Sequence, residues 1–446
     1  MKRFISVLCV LCLLITVSVV SAGAINFPND VDTHCKSILL INTDVGQVVY
    51  EKAADEKRYP ASTTKIMSYI IAYENIDDIE NVRIPIKQSV LDKLNGTDSS
   101  TANLSEHVGK TMSGMDLLYS MMVPSGNDAA MTLADYVGDG DIDKFVELMN
   151  EKAEKLGCEN THFVNPDGLH HENHYTTARD LYKITSYAMT LPHFFEISNT
   201  TEYQCEGDSH ALVTTNYLID ANRGGEYYYS YAKGIKTGTT DEAGRCLVTT
   251  AKDDGNSYML ILLGAPYKAG ELEEYYTFTD AAELFRWSLV DLKLQTVKTT
   301  QTPICEVNVK LAWGRDTVTL VPEKNLNAIM PTDLKDENIV VETDVPEVLE
   351  APLSKDNSVG TAAVYYVDTE TGEKQPIASV NLVPMDNIDR SGFLMVLDVI
   401  GTIFQSYWFI VIIAAIILFM IIYVIVAKVH KVRQKKRRKV KKYRNF

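Results

Sequence analysis

The chain has 446 residues and a formal net charge of −16 at pH 7. All 59 acidic residues lie between residues 25 and 403, whereas 13 of the 43 basic residues lie outside that range. The middle of the chain therefore carries a net charge of about −29, which excludes long-range attraction of an anionic substrate and requires cations at the site itself. Its roughly 380 residues also exceed one ordinary domain.

The amino terminus has the pattern of a secretory signal peptide. Two cations, Lys2 and Arg3, precede an uncharged apolar run that starts at Phe4, and small residues follow it up to Ala24. Cleavage there would remove residues 1–24 and export the rest of the chain. Five cysteines then remain, and because their number is odd, at least one thiol stays free.

Strand patterns near both ends of residues 30–295, with helical patterns between them, indicate an α+β domain. The pattern predicts an antiparallel sheet whose first and last segments pair, covered by an internal helical cluster. The predicted strands are 37–41, 47–50, 245–251 and 258–263, and the predicted helices begin near Ile66 and cover 115–123, 128–137, 142–156 and 272–289.

Residues 300–385 follow a different pattern, with short strand-like runs between turns, and predict a small all-β domain. No group of residues in it suggests chemistry, so we expect a stalk or spacer. The predicted strands are 304–311, 317–321, 339–342, 362–367 and 377–383, with turns at Gly314 and at 369–372.

The run from Phe404 to Ala427 contains no charged residue. As a helix it would be about 36 Å long, which is enough to cross a bilayer. A buried core helix is the alternative, but the run is too long for one and its flanks are asymmetric. We therefore predict a single transmembrane helix that contacts membrane lipid, preceded by a segment at the membrane surface, residues 392–403.

The tail at 428–446 contains eleven Lys and Arg residues. Basic flanks stay in the cytoplasm, so the sequence predicts a cell-membrane protein with its α+β domain outside the cytoplasm and a cytoplasmic carboxyl terminus. Basic runs also bind nucleic acid. Because this run directly follows the predicted span, we favour contact with anionic lipid and expect no nucleic-acid partner.

Three short motifs, in one order along the chain, indicate a serine nucleophile with a lysine base. Each is weak alone, because short patterns arise by chance. A second Ser-x-x-Lys begins at Ser230, and a second Ser-x-Asn begins at Ser379, which is out of order. The ordered set consists of Ser62 with Lys65, Ser125 with Asn127, and Lys236 with Thr237 and Gly238.

Ser62 is predicted at the amino end of a helix, where free N–H groups and the helix dipole favour a developing anion. Lys65 lies on the same helical face, within reach of the Ser62 hydroxyl. It can act as the base if burial and a second cation, Lys236, lower its pKa. The alternative is that Ser62 only caps the helix.

Ser125 and Asn127 lie in a predicted loop between two helices, and such loops can place side chains in a cleft. Ser125 is a candidate proton relay to a leaving amine, and the Asn127 amide is a candidate for orienting a substrate carbonyl. The alternative is an ordinary turn with Asn127 as the cap of the next helix.

Residues 232–240 read as an edge strand, which can pair with an extended peptide. The hydroxyls of Thr237 and Thr239, with Lys236, would then hold a carboxylate. The backbone N–H groups of Ser62 and Thr239 are the candidate oxyanion hole.

The three motifs resemble the signatures of penicillin-binding proteins and serine β-lactamases. Residues 165–169 and 174–180 are similar to those of the low-molecular-weight serine-type D-alanyl-D-alanine carboxypeptidases of the peptidase S11 type. This resemblance implies a β-lactamase/transpeptidase-like fold and removal of the terminal D-alanine from peptidoglycan stem pentapeptides through an acyl-enzyme on Ser62. It also implies that β-lactam antibiotics acylate Ser62, and it implies no cofactor.

The chain departs from its relatives at two positions near the third motif. Many carboxypeptidases have a histidine where this chain has Thr239, and for the arginine that members often carry after the second hairpin we find only Lys268. A group of three histidines and Glu172 suggests a metal site, but it lies in a loop that matches the serine family, so we predict no metal. The histidines are His170, His171 and His174.

Two other functions fit the same motifs. One is a β-lactamase, which would hydrolyse the antibiotic instead of being blocked by it. The other is a non-catalytic membrane receptor that binds penicillin or cell wall, which would explain why the basic tail is predicted in the cytoplasm.

Overall fold

A computed structural model of the chain describes Phe27 and residues 29–97, 99–267, 275–368 and 372–442. The predicted signal peptide and Lys268 lie outside the described residues, as does most of the predicted turn at 369–372. The α-helices of the described chain are α1 Lys65–Asn75, α2 Gln88–Leu91, α3 Gly114–Met122, α4 Asn127–Val137, α5 Ile142–Lys155, α6 Ala178–Ala188, α7 Phe194–Ser198, α8 Tyr276–Asp291, α9 Gly392–Gln405 and α10 Tyr407–Lys442.

The strands over the same residues alternate with these helices only in the first two thirds of the chain. They are β1 Ser37–Asn42, β2 Gln47–Lys52, β3 Arg83–Pro85, β4 Thr111–Ser113, β5 Glu202–Tyr203, β6 Leu212–Val213, β7 Ala232–Thr240, β8 Gly244–Asp253, β9 Asn256–Ala265, β10 Leu292–Lys298, β11 Cys305–Lys310, β12 Thr317–Pro322, β13 Leu326–Pro331, β14 Ile339–Asp344, β15 Val348–Glu350, β16 Gly360–Val367 and β17 Lys374–Pro384.

Five strands form the main sheet, in the order β2-β1-β9-β8-β7. The prediction that the first and last segments pair is confirmed, because β1 and β9 are antiparallel neighbours with Leu39 opposite Ile261. The predicted edge strand is also confirmed, since β7 pairs with β8 and ends the sheet.

Both faces of this sheet are covered. Leu39 and Ile41 belong to the core that the helices share, whereas Ile38 and Leu40, which alternate with them, are buried outside that cluster. Side chains of a strand alternate between faces, and α8 packs against β8 and β9. The result is a sheet between α8 and an internal cluster of helices, which is the predicted α+β architecture.

Helix α1 lies at the centre of the internal cluster. Its residues from Lys65 to Ala72 are buried without interruption, and it contacts α4, α5 and α6. Eight consecutive buried residues cover every side of a helix, so this stretch belongs to the core. The first turn of α1 therefore has a fixed position, and the preceding 3₁₀ turn, Ala61–Thr64, contains Ser62.

Six later strands form a second sheet in the order β14-β16-β17-β12-β11-β15, which agrees with the predicted all-β pattern. Seven strands of the described chain were not predicted: β3, β4, β5, β6, β10, β13 and β15. β10 and β13 pair with each other. β15 has only three residues, two of them exposed, so it carries little hydrophobic periodicity.

The chain folds into two compact units. The first contains the described residues up to Val297, together with those of Leu326–Glu342 and Ala363–Ser379. The second contains Lys298–Asn325, Thr343–Ala362 and the chain from Val380 onward.

One helix among the described residues is long and apolar enough to cross a membrane, Tyr407–Lys435, in which an 18-residue stretch has a mean hydropathy of 3.5. It begins three residues after the predicted start, Phe404, because α9 and α10 are separated at Ser406. It also continues past Ala427 into the basic segment.

Candidate active site

A cleft of about 350 Å³ lies between the start of α1 and strand β7. Six of the eight residues predicted from the motifs line it. The other two, Lys65 and Lys236, are 0% and 2% exposed. The lining residues of the predicted set are Ser62, Ser125, Asn127, Thr237, Gly238 and Thr239.

Strand β7 passes so close to Ser62 that only glycine fits at position 238. A Cβ atom added to Gly238 would lie 2.9 Å from the Ser62 nitrogen and 3.0 Å from the Pro60 oxygen. The third motif therefore contains glycine because its main chain must lie against the nucleophile.

A second close contact holds the same turn from another side. Gly168 has a φ of +86°, and a Cβ atom there would lie 2.0 Å from the carbonyl oxygen of Ala61. Ala61 itself has a φ of 47°, which is unusual for a residue with a side chain. The turn before Ser62 is thus held in a strained conformation by its neighbours.

The amine of Lys65 lies among three oxygen atoms. Nζ is 2.9 Å from Ser62 Oγ, 2.6 Å from Asn127 Oδ1 and 2.6 Å from the main-chain oxygen of Asp167. The amide and peptide oxygens can only accept hydrogen bonds. A neutral amine that donates to both of them directs its lone pair at the Ser62 hydroxyl, which is the arrangement a general base needs.

Burial lowers the pKa of Lys65 to about 8, although the nearby carboxylates of Asp167 and Asp128 act in the opposite direction. Burial also lowers the pKa of Lys236 well below its usual value, and the positive charge of Lys65 lowers it further. The two amines are therefore close enough for the charge of Lys65 to disfavour the charged form of Lys236.

Ser125 lies in the cleft in a conformation with a φ of 66°. Its main-chain oxygen accepts a hydrogen bond from Ser100 Oγ at 2.7 Å. Its own Oγ is buried and has no hydrogen-bond partner among the described residues. A buried hydroxyl without a partner is unfavourable, so this group is available to a bound molecule.

Thr64 and His174 connect the 3₁₀ turn that contains Ser62 to a loop that is distant in sequence. The backbone N–H of Val164 donates to His174 Nδ1 at 3.2 Å, so the ring proton is on Nε2, which lies 2.8 Å from Thr64 Oγ1. The Thr64 hydroxyl in turn donates to the Ala61 oxygen at 2.8 Å. Burial lowers the pKa of His174 to about 3, so the ring is neutral.

Arg245 is a lining residue that the motifs did not indicate. It follows the turn after β7, lies opposite Thr239 in the sheet, and is 9% exposed. Its guanidinium lies 3.8 Å from the centre of the Tyr275 ring, a cation–π contact that holds it in place. The only sequence signal was a cation at the start of an alternating strand.

The group of histidines does not form one site. His174 is buried against Thr64, whereas His170, His171 and Glu172 are exposed. Glu172 is also absent from the described lining of the cleft. The second Ser-x-x-Lys lies apart from the cleft as well, with Lys233 exposed on β7.

Comparison with known proteins identifies the family. The family model of the D-alanyl-D-alanine carboxypeptidases, peptidase S11, matches residues 24–267. The chain belongs to this family. A second family model, the C-terminal domain of penicillin-binding protein 5, matches residues 303–390. The assignment to this family from the three motifs is thereby confirmed, as is the predicted transpeptidase-like fold. The chain is a serine peptidase.

Relatives of this S11 peptidase are similar over half or more of its length. It is 28% identical to the D-alanyl-D-alanine carboxypeptidase DacF of Bacillus subtilis over 80% of this chain and 87% of the relative. It is 34% identical to the D-alanyl-D-alanine carboxypeptidase of Streptomyces sp. K15 over 50% of this chain and 79% of the relative. The crystal structure of the carboxypeptidase DacD from Francisella tularensis has a TM-score of 0.61 at 25% identity, covering 83% of this chain and 97% of that one.

Thr64 offers a test of how the nucleophile's turn is held. In Thr64→Val, the Ala61 oxygen and His174 Nε2 both lose their hydrogen-bond partner, at a cost of about 1.4 kcal/mol or a tenfold change. We expect the rate of acylation by a fluorescent penicillin to fall about tenfold, whereas Thr64→Ser, which keeps the hydroxyl, recovers it. Equal rates in the Val and Ser variants, at matched thermal stability, would contradict this role.

The pKa of Lys65 predicts a pH dependence. Only the neutral amine accepts a proton, so the second-order rate of acylation should rise with pH and reach half its maximum near pH 8. The measurement is the rate of labelling by a fluorescent penicillin between pH 6 and pH 10. A rate that is flat or falls through this window would show that the protonation state of Lys65 does not control acylation.

Proposed function

We propose that this S11 peptidase removes the terminal D-alanine from peptidoglycan stem pentapeptides, with Ser62 as the nucleophile and Lys65 as its base. The observation that carries the proposal is the position of the Lys65 amine, 2.9 Å from Ser62 Oγ and held by two oxygens that only accept. Membership of the S11 family indicates the type of reaction, and the geometry of the site indicates the role of each residue.

Acylation begins when Ser62 Oγ attacks the carbonyl carbon between the two terminal D-alanines. Its proton passes to Lys65 Nζ, and the oxyanion lies against the backbone N–H groups of Ser62 and Thr239, donors that are effective where charge develops. The Asn127 amide, whose Nδ2 donates to Ser99 Oγ at 3.1 Å, helps to place the substrate.

The leaving nitrogen needs a proton before the peptide bond breaks. Ser125 Oγ has no partner among the described residues, so it can donate to that nitrogen and take a proton back from Lys65. D-Alanine leaves, and the rest of the peptide remains as an ester on Ser62.

Hydrolysis of the ester regenerates the enzyme. Water attacks the ester carbonyl, its proton passes to Lys65, and Ser62 Oγ leaves and recovers a proton. Because the described residues that line the cleft include no carboxylate, Lys65 is the base proposed for this half-reaction too. A β-lactam that acylates Ser62 would be hydrolysed through the same amine.

The substrate carboxylate is proposed to lie among Lys236, Thr237, Thr239 and Arg245. Thr237 Oγ1 is within hydrogen-bond distance of Thr215 Oγ1, which orients the hydroxyl. An incoming carboxylate would also counter the low pKa of Lys236, since an anion favours the protonated amine. These cations give an acidic chain a local site for an anionic substrate.

We further propose the placement of the chain. The signal peptide would be residues 1–24, the catalytic domain 30–295, the all-β domain 300–385, and the anchor the run at 404–427 with a cytoplasmic basic tail. Helix α10 supports the anchor by its length and hydropathy, and the basic residues after it support the orientation.

Replacing the nucleophile tests the function. Ser62→Ala should abolish D-alanine release from a pentapeptide and the penicillin adduct seen by mass spectrometry, whereas Ser230→Ala, the equivalent change in the second Ser-x-x-Lys, should leave both unchanged. An adduct mapped to a peptide without Ser62 would overturn the assignment. An adduct on Ser62 without release of D-alanine would favour the receptor.

Replacing Arg245 tests carboxylate binding. Arg245→Ala should raise the KM for a D-alanyl-D-alanine peptide about tenfold, because a charge-assisted hydrogen bond contributes about 1.5 kcal/mol or more. Arg245→Lys should recover part of the loss. Arg286→Ala removes an exposed cation outside the cleft lining and serves as the matched control, and an equal effect in both would refute a local role.

A further inference from the structure

The hairpin of β11 and β12 carries an exposed tryptophan near its tip. The strands pair up to Asn308 and Thr317, and Trp313 in the connecting segment is 71% exposed. Its neighbours Leu311 and Ala312 are buried, so the segment is attached to the domain while the indole lies in solvent. A large aromatic side chain in that position contributes little to the core and leaves apolar surface in water.

The indole is continuous with the apolar surface of α9. The Trp313 and Phe393 rings meet edge to face with centroids 5.8 Å apart, and the Ser391 nitrogen donates to the Leu311 oxygen at 2.7 Å. The exposed apolar side chains of α9 are Phe393, Met395, Val396, Leu397, Val399, Ile400, Ile403 and Phe404.

The neighbouring helix indicates what covers this surface. Only Ser406 separates α9 from α10, whose first 29 residues are the candidate span. Helix α9 has 14 residues and is about 21 Å long, too short to cross a bilayer. If α10 spans the membrane, α9 and the attached hairpin tip lie at the bilayer surface.

The chemistry of the surface fits a lipid headgroup region better than a protein partner. Tryptophan is enriched at the boundary between headgroups and acyl chains, where its ring is in apolar surroundings and its N–H stays hydrated. Arg390, exposed beside Ser391, supplies a cation for lipid phosphate. A span at the end of α9 keeps lipid next to the patch, whereas a soluble partner would have to displace it.

We propose that the β11–β12 hairpin inserts Trp313 into the headgroup region of the membrane beside α9, so that the second unit contacts the bilayer through its own fold. The inference rests on the proposed membrane anchor. Its consequence is that this end of the all-β domain is held at the membrane surface by a contact outside the helices, instead of being separated from it by a free stalk.

The three tryptophans of the chain allow a direct test with the full-length protein in lipid nanodiscs. Each single-tryptophan protein has the other two replaced by phenylalanine. Trp408, at the start of the span, is the positive control, and Trp287, 8% exposed in α8, is the negative control. Fluorescence is compared between discs of phosphatidylcholine and discs of phosphatidylcholine brominated on acyl carbons close to the headgroup.

We expect the emission of Trp313 to be quenched by the brominated lipid to nearly the same extent as that of Trp408, while Trp287 is not quenched. If Trp408 is quenched but Trp313 is quenched no more than Trp287, the hairpin contact is overturned and the anchor is left intact. Absence of quenching at both Trp408 and Trp313 would overturn the anchor and this inference together. D-Alanine release at the unmodified rate in all three proteins shows that the fold is retained.

Discussion

Two buried lysine amines, one of them 2.9 Å from the Ser62 hydroxyl and the other close enough to feel its charge, are the constraint on which the rest of the structure depends. An ammonium group without solvent is costly, by several kcal/mol per ion even after relaxation. Lys65 and Lys236 are 0% and 2% exposed, and their low pKa values follow from that burial. The surrounding residues must therefore satisfy an amine that loses its proton more readily than an exposed lysine, and in its neutral form must leave the lone pair to the Ser62 hydroxyl.

Much of the catalytic unit serves this requirement. The first eight residues of helix α1 are buried, and this burial places Lys65. The loop around Asp167 supplies a peptide oxygen, and α4 supplies the Asn127 amide oxygen. The strand of Lys236 reaches the nucleophile only because Gly238 has no side chain. A shift of about 1 Å in any of these would separate the base from the hydroxyl, and proton transfer requires hydrogen-bond distance.

The overall charge of the chain also requires cations close to the site. The chain is acidic overall, so its field does not attract an anionic substrate. The cations near the cleft act at short range, where low dielectric strengthens them. The guanidinium of Arg245 is held against the Tyr275 ring, so little side-chain entropy is lost when it meets an anion.

The sequence by itself determined the motif residues, the family, the α+β class, the pairing of the first and last sheet segments and the existence of one long apolar helix. These depend on local periodicity and on rare combinations of residues, which are visible along the chain. It did not reveal β3, β4, β5, β6 or β15, because strands of two or three residues are too short to show a period. It also did not reveal β10 and β13, which pair with each other.

Only the tertiary structure decided which atoms surround the base. The Asp167 contact uses a main-chain oxygen, which every residue has, so no side chain identifies it. The link from His174 through Thr64 joins residues 110 positions apart, and Arg245 enters the cleft because its strand lies beside β7. Hydrogen bonds act over about 3 Å of space, whatever the separation in sequence, so these contacts exist only once the chain has folded.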